Sequence, residues 1–289
     1  MLNEITLLQN YLIMDRERKF ILVPWDFTDI AENALLHGIK IAKMVDSKIV
    51  LQHVIEKKIS KMEKGKLQST LDWIAEKYEK KYEIKIEGII CVGRIFSTIS
   101  ENANEKKVSM GIMGTHGMKG IQKITGSWAL KVIVGTKVPF IVVQEKPLDW
   151  NKYRNIVFPV DFKLENKEKL QWAIYMGKYF DSKINVLKQK VTDKSLLRKM
   201  NINLNFAIKY LIQNRIEYEI HELPKSGNFA KDSVAFAQDM NADLILITTT
   251  KNITMANYVL GAQEQYIITN SSKIPVMCVN PLTSFSNIS

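Results

Sequence analysis

Short apolar runs alternate along the chain with longer stretches in which apolar residues recur every three or four positions. FILVP, KIVLQHV, IKIEGIICV, VSMGIM and VPFIVVQ are of the first kind, and their brevity and Val/Ile content predict strands. Between them, Ile30 to Val45 has helical spacing behind Thr28 or Asp29 as cap, with Glu32 three residues beyond Asp29. A charged helix is predicted over Leu67 to Tyr82 and another from Ile95 to about Lys106. The strand runs lack a clean period of two, as a parallel sheet covered on both faces requires. The pattern is an α/β alternation with five strands.

The alternation then repeats. NIVFPVDF ends at Asp161 as FILVPWDF ends at Asp26, and the same interval separates Gly126 in ITGSW from Gly261 in VLGAQ. The second copy reads as NIVFPV, a helix near Lys167 to Tyr179, KINVL, a helix near Leu196 to Asn214, EYEIHEL, a helix from Phe229 to Met240, LILITT, a loop and helix, and IPVMCVN. EKPLDWNKYRN separates the copies. The expected organisation is an N-terminal extension over 1–18, a first domain over 19–148 and a second over 149–289.

Composition narrows the class. A chain of 289 residues that is 46% hydrophobic buries a sizeable core. No apolar run approaches the roughly 20 residues of a membrane-spanning helix, and the opening LNEITLLQNYLIM lacks a basic start and a cleavage site. A cytoplasmic protein without membrane contact is expected. Cys91 and Cys278 both lie in apolar runs and are expected as free thiols, since two cysteines exclude a disulfide framework or a cysteine-built zinc site. The net charge of +11 comes from lysines interleaved with glutamates, as in EKKISKMEKGKLQ. That describes solvated helix faces with a weak anion preference, not a specific nucleic-acid surface.

Candidate chemistry centres on GTHGMKGIQKITGSW, directly after the fourth strand run. Gly114 and Gly117 can adopt positive φ and offer backbone N–H groups to an anion, with Gly126 and Ser127 where the next helix begins. Lys119 and Lys123 add charge. A glycine-rich turn that merely reverses the chain is the alternative. Neither G-x-x-x-x-G-K-[ST] nor G-x-G-x-x-G is present. His53 reads as a structural residue at a strand end, and neither His53 nor His116 has the spacing of a catalytic triad. His221, Glu222 and Asp232 are not spaced as a metal site.

ILVPWDF, LQHVIE, VGRIFSTI and IMGTHGMKG with ITGS, in this order, resemble the universal stress protein family, and the tandem repeat resembles its two-domain members. The resemblance implies two Rossmann-like domains of the adenine nucleotide alpha hydrolase-like kind, each a parallel sheet of order 3-2-1-4-5, paired through their fifth strands as an intramolecular pseudo-dimer. It also implies ATP or AMP bound by the motif G-x2-G-x9-G-[ST]. Gly114, Gly117, Gly126 and Ser127 match its elements, with eight residues, Met118 to Thr125, between Gly117 and Gly126. Asp26 matches the carboxylate that contacts the ribose, Val54 the backbone that reads adenine, and Met113 a position beside the sugar-phosphate. Pro24 and Trp25 shape the turn before Asp26, His116 lies inside the glycine loop, and Trp128, directly after Ser127, is expected to pack between the two halves, with ligand stacking as the alternative. Any Mg2+ would be held mainly by nucleotide oxygens.

In the second copy, Thr249 and Asn252 stand for Gly114 and Gly117, Ala262 replaces Ser127, and Glu264 enters the first turn of the next helix. That copy is expected not to bind nucleotide. The leading expectation is a stress-response sensor that binds an adenine nucleotide in its first domain, with an unidentified protein partner or a homodimer, and little or no turnover. A slow ATPase and a non-nucleotide protein-interaction module are the alternatives.

Overall fold

A computed structural model describes residues 20–57, 59–105, 107–115, 125–148, 153–161, 167–224, 228–249 and 262–281. The extension over 1–18 lies outside them. The chain divides near residue 150 into two compact units.

The N-terminal unit runs β1 (Phe20–Pro24), α1 (Asp29–Val45), β2 (Lys48–Ile55), α2 (Lys61–Tyr82), β3 (Ile86–Val92), α3 (Ile95–Ala103), β4 (Val108–Gly114), α4 (Thr125–Val134) and β5 (Phe140–Val143). Its strands pair in parallel in the order β3-β2-β1-β4-β5. The C-terminal unit repeats the plan with β6 (Asn155–Val160), α5 (Lys167–Phe180), β7 (Lys183–Gln189), α6 (Lys194–Gln213), β8 (Tyr218–Leu223), α7 (Phe229–Asp239), β9 (Leu244–Thr248), α8 (Ala262–Ile268) and β10 (Val276–Val279). Here the parallel order is β8-β7-β6-β9-β10. Both units therefore have the expected 3-2-1-4-5 sheet, and the central strands carry fully buried Ile21, Val23, Ile49, Leu51 and Ile112 in one unit and Ile156, Phe158, Val186 and Leu246 in the other.

Local chemistry sets the helix ends. Thr28, not Asp29, caps α1: its Oγ1 accepts the Ala31 N–H at 3.3 Å, while Asp29 and Glu32 lie in the first turn, where the helix dipole favours anions. α2 begins six residues before the predicted Leu67. Ser60 and Glu63 form a reciprocal capping box, with the Ser60 N–H donating to Glu63 Oε2 at 2.8 Å. Only Leu71, Ala75 and Tyr78 of this helix are buried, so its first turns carry no apolar periodicity. α3 stops at Ala103 because Asn104 turns to the far end of α4. Its amide donates to the Gly135 carbonyl at 3.1 Å and accepts the Lys137 N–H at 2.6 Å.

Candidate functional site

In the N-terminal unit β1 lies between β2 and β4, so the winding direction reverses between β1 and β4. Crevices at the carboxyl ends of strands at such a reversal are where open α/β sheets bind ligands. A cleft of about 400 Å3 opens there, within the range of small-molecule sites. Strand ends supply Pro24, Trp25, Asp26, Gln52, His53, Val54, Met113, Gly114 and Thr115. Ile30 and Ala31 of α1, Ile95, Phe96 and Ile99 of α3, and Ala129 and Val132 of α4 make the remaining wall apolar.

The turn after β1 is held from several sides. The Trp25 N–H donates to the Gln52 carbonyl at 2.8 Å, and His53 Nδ1–H donates to the Trp25 carbonyl at 2.8 Å, which places the His53 proton on Nδ1 because a carbonyl only accepts. Phe27 takes φ 64°, a left-handed conformation costly for a bulky residue. It packs edge-on against Trp25 and His53, with ring centroids 6.3 and 4.9 Å away. Asp26 Oδ1 accepts both the N–H and the hydroxyl of Thr28, at 3.1 and 2.5 Å. Its carboxylate is thereby oriented at the cleft mouth.

Three buried polar atoms of the cleft lining have no hydrogen-bond partner: Trp25 Nε1, Gln52 Oε1 and Thr115 Oγ1. Among the described residues only Asn185 Nδ2, in the C-terminal unit, shares that condition. Leaving a buried polar group unpaired costs about 1–3 kcal/mol, and such groups are few in native proteins. All three belong to residues that line the one cleft.

Six of the sequence-predicted site residues, Pro24, Trp25, Asp26, Val54, Met113 and Gly114, come together in this lining. His116 and Gly117, like Lys119 and Lys123, lie outside the described residues. Gly126, Ser127 and Trp128 fall in the first turn of α4, with their side chains outside the description. One expectation is corrected. Gly114 does not adopt positive φ; among the described glycines only Gly93 does. Gly114 closes β4, and a Cβ there would stand 2.2 Å from Ile30 Cγ2 and 2.5 Å from the Ile30 carbonyl oxygen. Close approach of α1 explains this glycine. His53 makes the expected structural bond, yet it also faces the cleft. Gln52 and Thr115 were not singled out from the sequence; a lone amide inside KIVLQHV was the available hint.

The C-terminal unit supplies an internal comparison. Gly114 stands opposite Val143 and Thr248 opposite Val279, while Thr115 and Thr249 each donate their N–H to those valine carbonyls at 2.9 Å. Thr248 is therefore the counterpart of Gly114, and Thr249 that of Thr115, one position from the sequence-based pairing of Gly114 with Thr249. The Thr249 hydroxyl donates to Asn280 Oδ1, whereas that of Thr115 has no partner. Lys169, buried in α5, donates to the Pro159 carbonyl at 2.5 Å and lies 4.4 Å from the centre of the Phe158 ring. Burial pulls its pKa down to about 8, against the opposing pull of the Asp161 carboxylate. Glu264 does stand in the first turn of α8 and is buried; Gly261 and Asn252 lie outside the described residues.

Residues 17–144 match the model of the universal stress protein family. Universal stress protein MJ0577 of Methanocaldococcus jannaschii is 30% identical over 155 residues, which span 44% of this chain and 96% of that one. The chain belongs to the universal stress protein family. A second relative in the same organism, universal stress protein MJ0531, is 29% identical over 141 residues, covering 44% of this chain and 82% of its own. The fold is shared with the crystal structure of a universal stress protein from Archaeoglobus fulgidus, at TM-score 0.73 and 18% identity over 91% of this chain and 97% of that one. Universal stress proteins solved with dAMP (TM-score 0.36, from Archaeoglobus fulgidus) and with cAMP (TM-score 0.38) align with 44% and 45% of this chain, at 23% and 18% identity. No helix among the described residues is long and apolar enough to cross a membrane.

Proposed function

We propose that the N-terminal domain, residues 19–148, binds an adenine nucleotide, ATP or AMP, and that the protein responds to nucleotide as a regulatory binding protein. The observation that carries this reading is the cleft at the β1–β4 reversal, whose lining brings together Asp26, Val54, Met113 and Gly114 with three residues that carry buried polar atoms without partners. Asp26 is an oriented acceptor suited to ribose hydroxyls. The apolar walls from α3 and α4 suit a planar base, and the strand end at Gly114 and Thr115 leads toward the start of α4, where phosphate would meet helix N–H groups. The second domain, residues 149–289, acts as a partner without a nucleotide site. Its equivalent hydroxyl is engaged by Asn280, and Lys169 is buried beneath the end of β6.

Isothermal titration of the full chain with ATP and with AMP tests this, together with analysis of nucleotide released when the purified protein is denatured. The expected result is one site per chain. No heat with either nucleotide, and none released on denaturation, would refute the proposal.

A further inference from the structure

α6, in the C-terminal unit, buries Met200, Asn203, Leu204, Ala207 and Leu211 on its inner side. On the opposite side Lys194, Arg198, Ile202, Asn205, Lys209 and Ile212 follow one another at steps of four, four, three, four and three residues, and all of them are exposed. Side chains so spaced share one face of the helix, here about 27 Å long. Ile202 and Ile212 are 56% and 57% exposed on it, among the cations. No Asp or Glu occurs from Lys194 to Ile216, and among the described residues no ion pair engages Lys194, Arg198 or Lys199. Lys194 sits in the first turn, where the helix dipole disfavours positive charge, so helix stability does not account for it. α2, the equivalent helix of the first unit, carries Glu63, Asp72, Glu76 and Glu79 among its lysines and pairs Glu76 with Lys80.

We propose that this face of α6 docks on an anionic lipid membrane, with its cations on headgroup phosphates and Ile202 and Ile212 in the boundary between headgroups and acyl chains. Charge complementarity and the two isoleucines together decide the occupant. A second copy of the face would set like charges against each other, so the partner is acidic. A nucleic-acid backbone would take the cations but leave both isoleucines in water. A protein that receives a helix does so in a groove, whereas this face is a convex ridge, which a fluid interface closes around. Cations combined with apolar side chains are what helices lying in the interfacial plane present, and each Lys or Arg near an anionic leaflet strengthens binding by about fivefold. The expectation of no membrane contact rested on the lack of a spanning run, which bears on insertion and not on adsorption to a surface.

The test is sedimentation of the full chain with vesicles of phosphatidylcholine alone and of phosphatidylcholine with about one-third phosphatidylglycerol. Wild type is compared with Lys194→Gln/Arg198→Gln/Lys199→Gln and with Ile202→Ser/Ile212→Ser. All five positions are exposed, so circular dichroism and the urea midpoint of each variant should match wild type. Wild type should bind the anionic vesicles at least about tenfold more tightly than the neutral ones, and ~1 M salt, which cuts the screening length to ~3 Å, should release it. The triple variant should lose at least about tenfold in affinity, and the isoleucine variant, at unchanged charge, about fivefold. Lys61→Gln/Lys64→Gln/Lys66→Gln, which removes equal charge from α2, should cost less than about threefold. Binding to neither vesicle, equal binding to both, binding that persists at high salt, or unchanged affinity in either α6 variant would overturn the inference. So would an equal loss from the α2 variant, which would assign the effect to net charge. Duplex DNA bound as tightly as the anionic vesicles, and undiminished in the isoleucine variant, would overturn it in favour of a phosphate-backbone surface.

Discussion

His37 ties the first domain's stability to pH. It lies in α1, 3% exposed, and its Nε2–H donates to the Glu145 carbonyl at 3.1 Å beyond β5. Burial, with a smaller contribution from Lys40, pulls its pKa from 6.5 down to about 4, against the opposing pull of the Glu145 carbonyl. Between those values the unfolded chain holds a proton that the folded chain excludes. Stability therefore rises with pH across the window, is fully present above about 6.5 and is lost as pH falls toward 4. At about 1.4 kcal/mol per pKa unit, the full effect is ~3 kcal/mol. Other groups titrate over the same range, so the measurement is a difference. Urea unfolding of wild type and His37→Gln at half-unit steps from pH 7 to 4 should show wild type losing ~3 kcal/mol relative to the variant, whose amide can still donate to the Glu145 carbonyl but cannot titrate. Parallel stability curves would refute the reasoning.

Two further outcomes can be checked the same way. Gly114→Ala should destabilise the fold by about 1–3 kcal/mol through overpacking against α1, and Ile30→Ala should not fully rescue it, because the clash at 2.5 Å is with the Ile30 backbone oxygen; urea midpoints within error of wild type would contradict this. In the second domain, burial lowers Lys169 from 10.5 to about 8, so the unfolded state binds the extra proton between those values and wild type should gain ~3 kcal/mol relative to Lys169→Met as pH rises across that window; a constant difference between the two would count against the buried ammonium.

The strand and helix order was legible because each buried strand is a short Val/Ile-rich run and most helices show their apolar stripe. Phe20–Pro24, Val108–Gly114 and Asn155–Val160 could be read from such runs. The start of α2 was not, since a helix that buries only Leu71, Ala75 and Tyr78 is held at its head by the polar pair Ser60 and Glu63. Within the site, Asp26, Val54 and Met113 could be placed by motif. The reason for Gly114 could not, because it lies in the distance to Ile30, a residue far away in sequence that only the folding of α1 onto β4 brings near. Gln52 and Thr115 escaped for a related cause: a polar residue in a strand acquires meaning only when its partners can be counted. The one-position shift between Thr248 and Thr249 likewise follows from sheet register and not from the spacing of glycines.

Comparing the two domains explains why three unpartnered groups persist around the first domain's cleft and none at the matching positions of the second. Same fold and same register mean that the positions of Trp25, Gln52 and Thr115 exist twice. In the second domain each position has been quieted, by Val160, by Leu187 and by the bond from Thr249 to Asn280. The fold itself therefore does not require buried unpaired atoms there, and each one retained costs about 1–3 kcal/mol. Retention at these three positions in the first domain makes sense if a ligand offsets that cost when bound, because occupancy adds stability by RT ln(1 + [L]/Kd). A nucleotide in the first domain should then raise the unfolding midpoint of that domain, and Gln52→Leu, by substituting the second domain's solution, should stabilise the unliganded chain while weakening its response to AMP. Stability without ligand and affinity for ligand are opposed at the same atoms.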